Sequence, residues 1–288
     1  MTQDIKPRAH LAERAAEMLS RRAPEQQQPP PHAPHMPPPS TVTALQAVPP
    51  GALIPMETLR DAGLLSAGMG RRPGRAQEEI ALVQHQLLRQ ADEAPQCRII
   101  LVASALPREG RSFMALNLAG GIANRGARSV LLVDADGRAS SLSRSLGLAA
   151  YGGLRDLVAE PRRRATELLV PTALDRLFIL PHGRPVAGEG APGGTAADAI
   201  LRLAASLPHH IIILDTPACL SSSDASALAA AAGQAVVVVD AQRTARNEVE
   251  AALDVLEACP VLQLLLNRVR FDDGGSFGTA DAGAAHAP

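Results

Sequence analysis

Six short apolar runs mark the second two-thirds of the chain, at 98–103, 129–133, 177–180, 211–214, 235–239 and 262–266. Each is a near-continuous Val/Ile/Leu run, the pattern of strands buried on both faces of a parallel sheet. Apolar residues at helical spacing separate most of them, over 113–125, 196–206, 224–232 and 247–258. This alternation predicts an α/β domain over 96–271: a doubly wound, mainly parallel sheet with right-handed crossovers and helices on both faces.

The pattern upstream is different. Residues 53–95 read as a helical extension. Ile54, Leu59, Leu64 and Leu65 punctuate its first part, a Gly/Arg-rich connector covers 68–75, and 76–91 place Ile80, Val83, Leu87 and Leu88 on one helix face. Before it, half of the 24 prolines fall ahead of residue 56, with proline triplets at 29–31 and 37–39. Such a stretch favours extended polyproline conformations and buries little, so 23–52 are expected to be a disordered linker, a spacer more than an SH3-type ligand. Leu11, Ala15, Met18 and Leu19 give 1–22 the pattern of a short tethered helix. The Gly/Ala-rich segment 272–288 is expected to be a disordered tail.

Composition narrows the function classes. A net charge of -1 and a pI near 6.7 argue against wholesale nucleic-acid binding. Aromatic residues make up only 2%, so the core must be built from Ala, Val, Leu and Ile. Cys97, Cys219 and Cys259 share no metal-ligand or pairing spacing and read as reduced, buried thiols. No apolar run reaches the ~18 residues of a membrane span, the longest candidate being broken at Gly233 and Gln234. The charged N-terminus lacks the apolar region of a signal peptide. A cytoplasmic protein is expected.

The chemistry concentrates after the first strand. Ser104-Ala105-Leu106-Pro107-Arg108-Glu109-Gly110-Arg111-Ser112 joins that strand to a helix, the context of a phosphate-binding P-loop. Of the G-x-x-x-x-G-K-[ST] pattern it keeps Gly110 and Ser112, with Ala105 and Arg111 at the other fixed positions. Taken alone, this could be an ordinary strand-to-helix turn. Two later strands strengthen it. The second ends in Asp134-Ala135-Asp136, placing carboxylates where ligands bind in open α/β sheets. The fourth runs Ile211-Ile212-Ile213-Leu214-Asp215, the Walker B form of an apolar strand ending near a metal. His209-His210 and Arg162-Arg163-Arg164 read as structural or solvated residues, and no His stands at a triad spacing. Together these features predict a sheet of P-loop NTPase type.

The loop, the Asp134-x-Asp136 strand and the Asp215-Thr216-Pro217 strand resemble those of the bacterial tyrosine autokinases of exopolysaccharide and capsule loci, most nearly their soluble, exosortase-linked branch. The resemblance spans about 54–270 and includes Leu59-Arg60-Asp61-Ala62-Gly63-Leu64-Leu65, the stretch 140–148, Leu180-Pro181-His182-Gly183 and Leu266-Asn267-Arg268. It implies ATP and Mg²⁺ as cofactors. Pro107, Arg108, Glu109, Gly110, Arg111 and Ser112 would form the phosphate cradle, and Asn267 would contact the adenine. Ser112, Asp134 and Asp215 would serve the metal, and Arg111, Asp134 and Asp136 the chemistry. It also implies a membrane polysaccharide chain-length (co-polymerase) partner, a peripheral place at the inner membrane through that partner, a homo-oligomer, and no nucleic acid.

Several departures matter. The family's loop reads S-A-L-P-G-E-G-K-[ST], so Arg108 replaces a Gly and Arg111 the phosphate-gripping Lys. Arg keeps the charge but is planar and longer, and a misplaced charge of this kind costs about 3 kcal/mol at the transition state, roughly a hundredfold in rate. No tyrosine follows Tyr151, the only one in these 288 residues, so tyrosine self-phosphorylation of a tail is not expected. The stretch after Glu78-Glu79 lacks the basic residues of the family's ring contact. The expectation is an ATP-binding protein of exopolysaccharide assembly with weakened or lost kinase activity. Two alternatives stay open: a partitioning- or positioning-type P-loop ATPase, although Leu106 stands where its signature lysine belongs, and a non-enzymatic scaffold.

Overall fold

The computed structural model describes residues 52–65, 74–126, 128–138, 141–184 and 194–270. The expected helix at 5–22, nearly all of the Pro-rich linker and the tail at 272–288 lie outside them. The chain divides into two units, Met1–Thr43 and Ala44–Pro288, and every described residue belongs to the second.

The six expected strands form: β1 (Ile99–Ser104), β2 (Ser129–Asp134), β4 (Leu177–Leu180), β5 (His210–Asp215), β6 (Gln234–Asp240) and β7 (Leu262–Asn267). A seventh, β3 (Val170–Pro171), is only two residues long, too short for a periodic signal, and pairs antiparallel with β4. The order is β3-β4-β2-β5-β1-β6-β7, parallel apart from β3. From β1 the chain moves outward to β2 and β4, returns to β5, then crosses β1 to β6 and β7. The order therefore reverses about β1, and ligands of such sheets bind at that switch point, outside the carboxyl ends of the strands.

Alternate residues of the central strands feed two cores. Leu101, Ala103, Ile212, Leu214 and Val237 face α6 (Ala196–Ser206), α7 (Asp224–Ala229) and α8 (Arg246–Val255). Ile100, Val102, Leu132, Ile213 and Val236 face α1 (Met56–Asp61), α2 (Arg75–Glu93) and α3 (Arg111–Asn124). Two short helices, α4 (Leu142–Ser145) and α5 (Leu154–Ala159), fill the path from β2 to β3.

The described part of the upstream extension is built into this second core. Leu59 is fully buried, which is worth about 2 kcal/mol. The Asn117 side chain on α3 accepts from the Leu65 N–H at 2.8 Å and donates to the Gly63 carbonyl at 3.0 Å. The Ile54 N–H donates to the Pro171 carbonyl at 3.0 Å, tying the segment to the β3 edge. Helix α2 crosses α3 closely at Gly121, where an added Cβ would lie 1.9 Å from the Gln84 amide.

One strand departs from its sequence pattern. Residues 262–266 read as buried on both faces, yet β7 is an edge strand with Leu264 and Leu266 more than half exposed. Apolar content alone does not distinguish an edge from a centre.

Candidate nucleotide site

The loop from β1 to α3 turns through two left-handed residues, Arg108 (φ 68°) and Gly110 (φ 93°). Gly110 takes this conformation freely, whereas a side chain there costs about 1 kcal/mol or more, as Arg108 must bear. Packing also requires glycine at 110: an added Cβ would lie 2.3 Å from Asn267 Nδ2. Gly110 caps α3 without any side-chain hydrogen bond. The first N–H groups of the helix therefore keep the partial positive charge that suits an anion.

Two residues brace this loop from inside. Glu109 is 1% exposed. Its carboxylate accepts from the Leu106 N–H at 2.7 Å, the Asp240 N–H at 3.2 Å and the Thr244 hydroxyl. Asn267, at the end of β7, donates from Nδ2 to the Glu109 carbonyl at 2.8 Å. Glu109 thus contributes to the cradle through its backbone, with its side chain anchored to β6 and the turn after it. Pro107 and Arg108 are exposed at the loop apex. Among the described residues Arg108 forms no hydrogen bond or ion pair.

The carboxylates converge because their strands are neighbours, with Asp134 on β2 in register with Asp215 on β5. Asp134 has both oxygens occupied, by the Asp136 N–H at 2.9 Å and the Ser143 N–H at 2.7 Å. Its burial pushes the carboxyl above the usual range, outweighing those hydrogen bonds. Burial also pushes Asp136 up, but Arg138 bonds and the Arg111 and Arg138 charges win and hold it below the usual range. Asp215 is completely buried; burial raises it to about 6 against the opposing pull of Arg111 and the Ser112 hydroxyl.

Arg111 joins these groups. It is the first residue of α3 and only 8% exposed. Its Nε donates to Asp215 Oδ1 at 3.1 Å, Nη2 to Asp136 Oδ2 at 2.8 Å and Nη1 to Ser104 Oγ at 3.0 Å. A planar fork can span three such acceptors; a lysine ammonium is a compact point charge. Arg111 therefore lies against the carboxylates, where the sequence expectation placed its charge on phosphate.

The cradle suits a polyphosphate: an uncapped helix start, two left-handed loop residues and an apex guanidinium without a partner among the described residues. For a divalent cation the fit is narrower. Asp215 Oδ2 is buried and makes no hydrogen bond, even with the Ser112 hydroxyl favouring the ionised carboxylate. That oxygen and Ser112 are the donors left for a metal. Among the described residues there is no cluster of three or more His, Cys, Asp or Glu that could hold one. Magnesium at phosphate sites usually takes only one or two protein carboxylates, so the residues fit a cation held chiefly by its nucleotide.

Sequence reasoning missed Arg138, two residues after Asp136, which grips that carboxylate with Nε to Oδ1 at 2.9 Å and Nη2 to Oδ2 at 3.2 Å. An Arg following closely on a strand-end Asp pair was the available signal. It also missed Asp240 and Thr244, which hold Glu109 from over 130 residues away; Asp240 ends the apolar run 235–239 as Asp215 ends its own, which was the available signal, and Thr244 offered none. Cys219 lies beside the site, and burial pushes its thiol up to about 11, which keeps it protonated near neutral pH.

The fold is a doubly wound, mainly parallel sheet of the P-loop NTPase type. No protein-family profile matches the chain. Over 192 residues it is 27% identical to the tyrosine-protein kinase YwqD of Bacillus subtilis, covering 65% of this chain and 80% of that one. Over 193 residues it is 29% identical to the tyrosine-protein kinase CpsD of Streptococcus agalactiae, covering 64% and 83%. The succinoglycan biosynthesis transport protein ExoP of Rhizobium meliloti matches at 29% identity over 196 residues, 65% of this chain but 24% of its own length. Among solved structures, the chimerical protein CapA2B2 aligns with a TM-score of 0.59 at 22% identity, over 78% of this chain and 95% of its own. The kinase domain of the Escherichia coli tyrosine kinase ETK gives 0.59 at 19% identity, over 80% and 93%. The chain is thus similar to bacterial tyrosine-protein kinases over about two thirds of its length.

Proposed function

We propose that this protein binds ATP at the loop after β1, takes part in exopolysaccharide assembly beside a membrane chain-length partner, and has weakened phosphotransfer. The observation that carries the reading is the Arg111 guanidinium at the base of the loop, bonded to Asp136, Asp215 and Ser104. The backbone of 107–112 would hold the phosphates, Arg108 would add charge at the apex, and Ser112 with Asp215 Oδ2 would face the cation. Asn267, which braces the loop through the Glu109 carbonyl, would also contact the adenine. Bound Mg-ATP supplies a transferable phosphoryl group and its neutralising cation. Asp136, occupied by two arginines, is poorly placed to take a proton from an acceptor hydroxyl. The acceptor would not be a tyrosine of residues 152–288, which hold none.

No helix among the described residues is long and apolar enough to cross a membrane. Under this reading the partner would hold the chain at the membrane. Calorimetric titration of the full chain with ATP tests the first step. Saturable binding that Gly110→Arg abolishes is the expected result. No binding at any accessible concentration overturns it in favour of a scaffold.

A further inference from the structure

We propose that Arg111 is the resident cation of this site, so that nucleotide phosphates bind with little dependence on a divalent metal. The inference rests on the nucleotide-binding reading above and concerns what neutralises the charge there. Asp134, Asp136 and Asp215 line the strand ends beside the loop and would repel an incoming polyphosphate. A bound metal ordinarily offsets such repulsion. Here the offset is already built in. Arg111 donates to one oxygen each of Asp136 and Asp215, at 2.8 and 3.1 Å. Arg138 clasps both oxygens of Asp136. Asp134 spends both oxygens on backbone N–H groups.

The same bonds leave a metal little to hold. Asp136 has no oxygen without a donor, and Asp215 keeps Oδ2 alone. Any cation there would also face the Arg111 guanidinium across the same carboxylate. Arg111 is nearly buried and bonded to three acceptors, which together hold its guanidinium among the carboxylates. Lysine would leave at least one of those acceptors without its partner, because the three surround an extended plane.

The test is ATP binding by the full chain, measured calorimetrically with Mg²⁺ and again with a chelator. For the wild type the two dissociation constants should agree within about threefold, and for Arg111→Ala they should differ by more than about tenfold, because the freed carboxylates then need the metal. Circular dichroism checks that the variant folds. Should it not, Arg111→Lys carries the test, with a metal dependence clearly above that of the wild type. A second readout uses Mg²⁺ alone, which should leave the wild-type melting temperature unchanged and raise that of the variant. Wild-type binding that appears only with Mg²⁺ overturns this inference and leaves the nucleotide reading standing. Equal metal dependence in wild type and variant also overturns it. Absence of ATP binding under both conditions overturns the nucleotide reading itself, and this inference with it.

Discussion

The apex and the base of the loop each carry an arginine, where the pattern the loop resembles would have glycine and lysine, and the two have opposite fates. Arg108 is exposed, sits in a left-handed conformation that costs about 1 kcal/mol, and has no partner among the described residues. Arg111 is buried, helical and bonded to three groups. Within the loop the base cation serves the carboxylates, and the apex cation has no partner among the described residues. A substitution thus acquires its meaning from burial and partners, and net charge alone would have treated the two arginines as equal.

The largest way to break this contrast acts at the base. Asp215→Ala leaves a buried guanidinium short of a partner and should destabilise the fold by about 3–5 kcal/mol, measured by urea denaturation. A loss near zero would mean that Arg111 relaxes outward and is not fixed. Next comes the hinge between the two arginines. Gly110→Ala forces a side chain into φ 93° and against Asn267, so a loss of about 2 kcal/mol is expected. Asn267→Ala should relieve the clash but not the strain, recovering only part of the loss in the double variant.

Smaller and opposite in sign is the apex. Arg108→Gly should stabilise the fold by up to about 1 kcal/mol through relief of the left-handed conformation, yet weaken ATP binding several-fold. A variant with unchanged affinity would remove the apex cation from the site. The smallest effect is in pH. The Asp215 carboxyl is raised from 3.8 to about 6 in the folded state. Its contribution is full below the unfolded value and lost as pH rises through about 6, so stability should increase modestly from pH 7 to pH 5. Asp134 is raised too and acts in the same sense, whereas Asp136 is lowered and would oppose it only at more acid pH. Asp215→Asn should flatten the dependence between pH 5 and 7.

Much of the fold was legible because buried parallel strands write themselves as Val/Ile/Leu runs, and Asp134, Asp136 and Asp215 announced themselves by ending such runs. The edge position of β7 was not legible, since Leu262, Leu264 and Leu266 look the same in a central strand. Nor was the destination of Arg111. The sequence placed a cation at the loop's base, but its direction is decided by Ser104, Asp136 and Asp215 arriving from three strands. The inward turn of Glu109 likewise depends on Asp240 and Thr244, brought close only by the crossing to β6.

The central claim is that Arg111, held by the carboxylates, makes the loop a site for binding more than for phosphotransfer. The most direct measurement compares single-turnover transfer from ATP to a tyrosine-bearing acceptor peptide by wild type and Arg111→Lys, at saturating nucleotide. The account predicts a slow wild type and a variant roughly a hundredfold faster, the equivalent of about 3 kcal/mol at the transition state. Equal and robust transfer by both proteins would contradict it.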